Sequence, residues 1–232
     1  MLPFVGCENA LGPQYAETLQ VKSETKWRVS TLDDHKISKV SFKTFNSKGD
    51  IISKIEYNQN GILQSTSEFS YLNGNSSEKE VRFSNGDTIG LLIHQYEMKN
   101  GKIVSKKTTN KAGDVLDNEQ LMYDLNGNVT EIVKCDGTNG CDDRIKFDNQ
   151  YVNGNLTIRY TFESDGSITQ KDSIVYNVSN NYFEKITSDN NGNIFFITGY
   201  SIHNDGRIES EVIKNNNGSV VEKFIYEYTY FE

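Results

Sequence analysis

The chain has 232 residues, a net charge of −8, 35% hydrophobic residues and two prolines, Pro3 and Pro13. That length fits one domain or one repeat array. Lys and Arg are scattered and outnumbered by acids, which argues against nucleic acid or an anionic membrane surface as a partner, since both need a concentrated basic face. No segment approaches the apolar length needed to span a bilayer as a helix.

Residues 1–34 fall outside the pattern that governs the rest and are expected to form an N-terminal arm or cap. NALGPQYAETLQ reads as an extended arm or a short helix, and Trp27 as a plug or cap at one end of a sheet, a device that repeat arrays generally need. MLPFVGCEN is too short for a signal peptide. Its FVGC resembles the end of a bacterial lipoprotein signal, where a small residue precedes an acylated Cys. Cys7 is therefore the lipid-anchor candidate; the plainer reading is a chain start with a chance cysteine.

Residues 35–232 carry two interleaved combs of turn-like glycines. Gly49, Gly74, Gly101, Gly127 and Gly154, then Asn180 in place of a glycine, then Gly206 form the first. Gly61, Gly86, Gly113, Gly140, Gly166, Gly192 and Gly218 form the second. Both step by 25 to 27 residues, so the chain reads as seven copies of a unit of about 26 residues, each with two turns. An aliphatic residue recurs two positions after the glycine (Ile51, Leu63, Val115, Val129, Leu156), and an aromatic three or four positions before it (Phe45, Tyr57, Tyr123, Tyr151).

Between turns the pattern alternates with period two. Leu156, Ile158, Tyr160 and Phe162 are expected on one face, with Thr157, Arg159, Thr161 and Glu163 on the other. The glycines supply the positive φ of hairpin turns without a Cβ clash. The fold class is therefore all-β: an antiparallel meander of two-strand repeats, about fifteen strands, curled into a shell, spiral or barrel-like sheet by native twist.

Chemistry-bearing residues are sparse. His35, His94 and His203 are isolated from one another, with no metal-ligand spacing, and there is no nucleophile elbow or phosphate loop. Adjacent carboxylates such as Asp33 and Asp34 point to opposite faces of a strand. Neither a catalytic site, a cofactor nor a metal is expected. The irregular tip CDGTNGCDD brackets five residues between Cys135 and Cys141. A disulfide across it is the favoured reading and implies an oxidising compartment; two free thiols are the other. Asp136, Asn139, Asp142 and Asp143 offer oxygen ligands but depart from a calcium-loop pattern and read as solvated turn acids.

Tyr123, Asp124, Gly127 and Val129, with Tyr57, Gly61 and Leu63 lacking the Asp, resemble the YD-repeat group, whose units read Tyr-Asp-x-x-Gly before an apolar residue. The resemblance covers Ser41 to Glu232, although only one strict Tyr-Asp occurs and the spacing here is more regular and two-turned. Similar short repeats occur in Gram-negative bacterial lipoproteins. The resemblance implies a β-hairpin shell and an association with cell surfaces and with protein or carbohydrate contact. The expected function is a non-catalytic binding or assembly surface with a protein partner in the cell envelope, at the outer membrane, extracellular or secretion-linked, reaching the membrane only through a possible lipid anchor. The alternative is a cell-surface carbohydrate-binding module.

Overall fold

The structure is a computed structural model that describes residues 20–32, 35–136, 140–177 and 181–231. Sixteen strands occur among them: β1 (Val21–Val29), β2 (Lys36–Phe45), β3 (Ile51–Tyr57), β4 (Leu63–Leu72), β5 (Asn75–Ser84), β6 (Asp87–Lys99), β7 (Lys102–Asn110), β8 (Val115–Tyr123), β9 (Val129–Asp136), β10 (Gly140–Val152), β11 (Asn155–Phe162), β12 (Ile168–Asn177), β13 (Tyr182–Ser188), β14 (Ile194–Ile202), β15 (Ile208–Asn215) and β16 (Val220–Tyr230). Each strand is hydrogen-bonded to its sequence neighbours and β1 to β16, so the order closes as a barrel of successive hairpins. The described part of the expected arm includes β1, which pairs antiparallel with β16 on one side and β2 on the other. Trp27 plugs no end of the sheet. It lies within β1, opposite Ile225 and Lys39.

Two grammars of turn close the hairpins. At Asn73-Gly74, Asn85-Gly86, Asn100-Gly101 and Asn153-Gly154 both residues have positive φ, the demand of a two-residue type I′ turn whose twist matches the strands. The second grammar is longer. In the loop after β3 the Gly61 N–H donates to the Asn58 carbonyl at 2.9 Å, and the Asn58 side-chain oxygen accepts from the N–H groups of Asn60 and Ile62. The residue three before the glycine thus caps its own turn. Asn46, Asn110 and Asp189 do the same.

Two compact units make up the chain. One, the β1 unit, holds residues 20–120, 135–136, 140 and 224–231 of the described chain; the other, the β11 unit, holds the described residues of 121–134 and 141–223. In the β1 unit a directly paired row, Thr25, Phe42, Ile55, Thr66, Val81 and Leu91, runs across six strands on one face. The opposite face carries Glu24, Lys43, Lys54, Ser67 and Glu80 in another paired row. The polar face is the more deeply covered: Ser65, Ser67, His94 and Thr108 are all buried.

In the β11 unit Leu156, Ile174, Phe183 and Ile202 form an apolar core flanked by Tyr151, Tyr176 and Tyr200. Phe183 stacks on Tyr200 with ring centroids 4.5 Å apart. Strict alternation fails at Leu156. The β10–β11 register pairs Gln150 with Ile158 but Tyr151 with Leu156, so a bulge at Thr157 moves Leu156 off the face of Ile158 and into that core.

Candidate functional site

Strands β5, β6 and β7 bring together residues that the sequence spaces evenly, Glu80, His94 and Thr108. Glu78 faces His94 across β5 and β6, and His94 faces Thr108 across β6 and β7. The His94 Nδ1 lies 2.9 Å from the Thr108 hydroxyl and its Nε2 lies 3.0 Å from Glu80. Arg82 donates from Nε and Nη2 to the same carboxylate at 2.9 and 3.2 Å. The hydrogen bond from His94 holds the Glu80 carboxyl down at about 2; burial opposes this and Arg82 adds to it. An ionised carboxylate only accepts, so Nε2 of His94 carries a proton. Beside it the Tyr96 hydroxyl donates to Glu78 at 2.6 Å, and burial with that bond pushes its pKa up.

This is the order acid, imidazole, hydroxyl, but without the rest of an acyl-transfer site. Thr108 is buried, and its backbone is paired on both sides, with His94 and with Asp117. Its neighbouring N–H groups belong to ladders, and among the described residues no hydrogen-bond partner besides His94 meets the hydroxyl. The network's physical effect is to satisfy a charged, covered face. The three residues step one strand at a time, on β5, β6 and β7, and only strand pairing sets them side by side.

The sequence-predicted turn residues fall where expected. Gly49, Gly61, Gly74, Gly86, Gly101, Gly113, Gly127, Gly154, Gly166, Gly192, Gly206 and Gly218 all have positive φ. Gly140 instead opens β10; residues 137–139, Asn180 and Cys7 lie outside the described residues. Cys135 and Cys141 are disulfide-bonded. The side chains of Asp136, Asn139 and Asp142 lie outside the described set, and no group of three or more metal-ligating side chains occurs among the described residues.

Within YDLNGNV, Asp124 is more than a turn cap. Its carboxylate accepts from the Tyr151 hydroxyl and from Asn149, and Asn128 donates to the Tyr151 oxygen at 2.8 Å. Burial raises the Asp124 carboxyl, but the bonds from Tyr151, Asn128 and Asn149 outweigh it and hold the group below its ordinary value. Burial, then the bond to Asp124, pushes Tyr151 up to about 12. The single strict Tyr-Asp therefore ties one hairpin tip to the strand of the next repeat.

Bulges place the surface features that alternation alone does not reveal. The register skips one residue three positions after several turn glycines: Ile52, Ile89 and Leu116 in the β1 unit and Phe195 in the β11 unit. All four are exposed, Ile89 by 65% and Leu116 by 54%. A bulge re-aims its unpaired side chain and is favoured near functional surfaces. Strands β6 and β8 both leave turns at one end of the sheet, and the register sets Leu116 level with Ile93 and His94, further along β6 than Ile89.

No helix among the described residues is long and apolar enough to cross a membrane, a statement that leaves strands open. The strands of the β1 unit carry exposed Glu68 and Lys79 directly opposite each other on the Phe42–Val81 face. The other face carries Glu80, Arg82 and the Lys54–Glu56 ion pair. A Lys or Arg facing mid-bilayer lipid costs about 2–4 kcal/mol, and both faces of this unit carry such charges.

No protein-family profile matches the chain, and no curated protein matches it. Among solved structures it is similar to a porin-like protein from Bacteroides vulgatus, with TM-score 0.43 and 9% identity over 91% of this chain and 99% of that one. A porin-like protein from Bacteroides uniformis gives TM-score 0.35 and 12% identity over 90% and 98% of the two chains. The TcdB2-TccC3-Cdc42 structure gives 0.21 and 10% over 83% of this chain and 16% of that one. None of these likenesses bears on activity.

Proposed function

We propose that this chain is a non-catalytic hairpin-repeat protein of the cell envelope, similar to the YD-repeat group, whose sheet serves as a binding and assembly surface for a protein partner. The observation that carries the reading is the exposure of large apolar side chains at the bulged position of the repeat, Ile89 and Leu116 above all. Large apolar side chains repeated on an exposed surface are the feature expected of a protein contact. The disulfide at Cys135 and Cys141 supports an oxidising compartment, and the charged faces support a protein that meets the membrane through an anchor rather than through its strands.

The test is a crosslinked pull-down from native membranes with wild-type protein and an Ile89→Glu/Leu116→Glu double variant. Both side chains are exposed, so the variant should keep its β-sheet circular dichroism and melting temperature. The proteins recovered with wild type should be depleted at least ten-fold with the variant. Recovery of the same proteins in the same yield would overturn the reading.

A further inference from the structure

The closing strands of the β1 unit gather an aromatic and cationic cluster on one face. Trp27 of β1 sits between Ile225 and Lys39, and Thr25 between Glu227 and Phe42. The Trp27 indole N–H donates to Glu227 at 2.7 Å, and Lys36 pairs with the same carboxylate. Lys36 and Lys39 place their ammonium groups 4.9 and 5.2 Å from the Trp27 ring centroid, and Lys39 also lies 5.5 Å from that of Phe42. The cluster thus holds two ammonium groups, of which Lys36 pairs with the Glu227 carboxylate, in a chain whose net charge is −8. Lys36 and Glu227 are 41% and 50% exposed, so the cluster is open to solvent.

We propose that this cluster is a binding site for an acidic saccharide, a pyranose that carries a carboxylate as uronic acids do. The chemistry follows from what holds the cluster together. Cation–π contacts and surface ion pairs at exposed positions are each weak, so a ligand displaces them at little cost. The apolar face of a pyranose takes the ring faces of Trp27 and Phe42 that the ammonium groups now cover. Lys36 and Lys39 swing to the sugar carboxylate, where a charge-assisted hydrogen bond replaces a cation–π contact. Glu227 then loses Lys36 as a partner and accepts from a sugar hydroxyl, while Trp27 keeps its own bond. A neutral sugar gives the lysines no such destination, which makes the carboxylate the determinant of specificity. The site stands whether or not Ile89 and Leu116 meet a protein partner, since it shares no residue with that surface.

Trp27 is the single tryptophan of the chain, so intrinsic fluorescence reports this site directly. Trigalacturonic acid should give a saturable change in emission, and neutral galactotriose a response at least ten-fold weaker. Inorganic phosphate at the same concentration should leave emission unchanged, and a Lys36→Gln/Lys39→Gln variant with wild-type circular dichroism should bind trigalacturonic acid at least ten-fold more weakly. Four results would each overturn the proposal: no saturable change with trigalacturonic acid, equal binding of galactotriose, the same change with phosphate alone, or unaltered affinity in the double variant.

Discussion

Replacing Glu80 with Gln keeps the shape of the buried polar face of the β1 unit and removes one charge from it. The side chain is 13% exposed and touches both His94 and Arg82. Folding lowers its carboxyl from 4.5 to about 2, which corresponds to roughly 3 kcal/mol at about 1.4 kcal/mol per pH unit. Arg82 is 52% exposed and its share is screened by solvent, so we expect a loss of about 2 kcal/mol at pH 7. The group's pKa is depressed in the folded state, so its contribution is complete above about pH 4.5 and vanishes as pH falls through about 2. The gap between wild type and variant should therefore narrow to about 1 kcal/mol or less at pH 3. Urea unfolding followed by Trp27 emission measures it at both pH values. A gap below about 0.5 kcal/mol at pH 7, or an equal gap at pH 3 and 7, would refute the argument that an ion-paired network stabilises this face.

Four further outcomes follow from the hairpins, the disulfide and the N-terminus. Gly166 has φ +84 and open space around it, so Gly166→Val should cost about 1–3 kcal/mol through backbone strain alone, whereas Gly90→Ala, with ordinary φ and equal space, should stay within about 0.5 kcal/mol; thermal melts of the two variants decide it. At Gly199 the ring of Tyr182 fills the space a Cβ would take, and Gly199→Ala should lower stability by about 1–3 kcal/mol through overpacking, read in the same melts. A thiol reagent should leave Cys135 and Cys141 unlabelled in protein from its native compartment, and reduction should cost at most about 2 kcal/mol because the crosslinked loop is short. If Cys7 is the acylated residue, native protein partitions into detergent and its intact mass begins at Cys7; an unmodified chain starting at Met1 would remove the anchor.

Much of the architecture was legible because its signals are local. A glycine that must hold positive φ declares a turn by itself, and twelve such positions at a fixed period declare the hairpins. What alternation misses is the bulge. Thr157 carries Leu156 to the opposite face from Ile158, and Ile89 and Leu116 become exposed for the same reason. A register skip leaves no mark in composition. No Asn-Gly or Asp-Gly turn follows the strand at Val21–Val29, so the glycine comb does not reach it and residues 1–34 carry only the signal of an arm or cap. The His94 network was hidden differently: its members sit on three successive strands, and chain distance makes them look unrelated until pairing sets them side by side.

The pairing of β1 with β16 also governs how the chain reaches its native state. Hairpin neighbours close loops of a few residues, whereas Trp27 and Glu227 are 200 residues apart. By the logarithmic cost of loop closure, that last seam is about 2–3 kcal/mol harder to form than a ten-residue hairpin if nothing has folded before it. Local hairpins accumulate first, and β1 waits as an unpaired edge until the final strand arrives. A chain shortened before β16 keeps two such edges and becomes a template for association with other copies. Quality control during biogenesis therefore has one step to guard, the docking of the last eleven-residue strand onto the first.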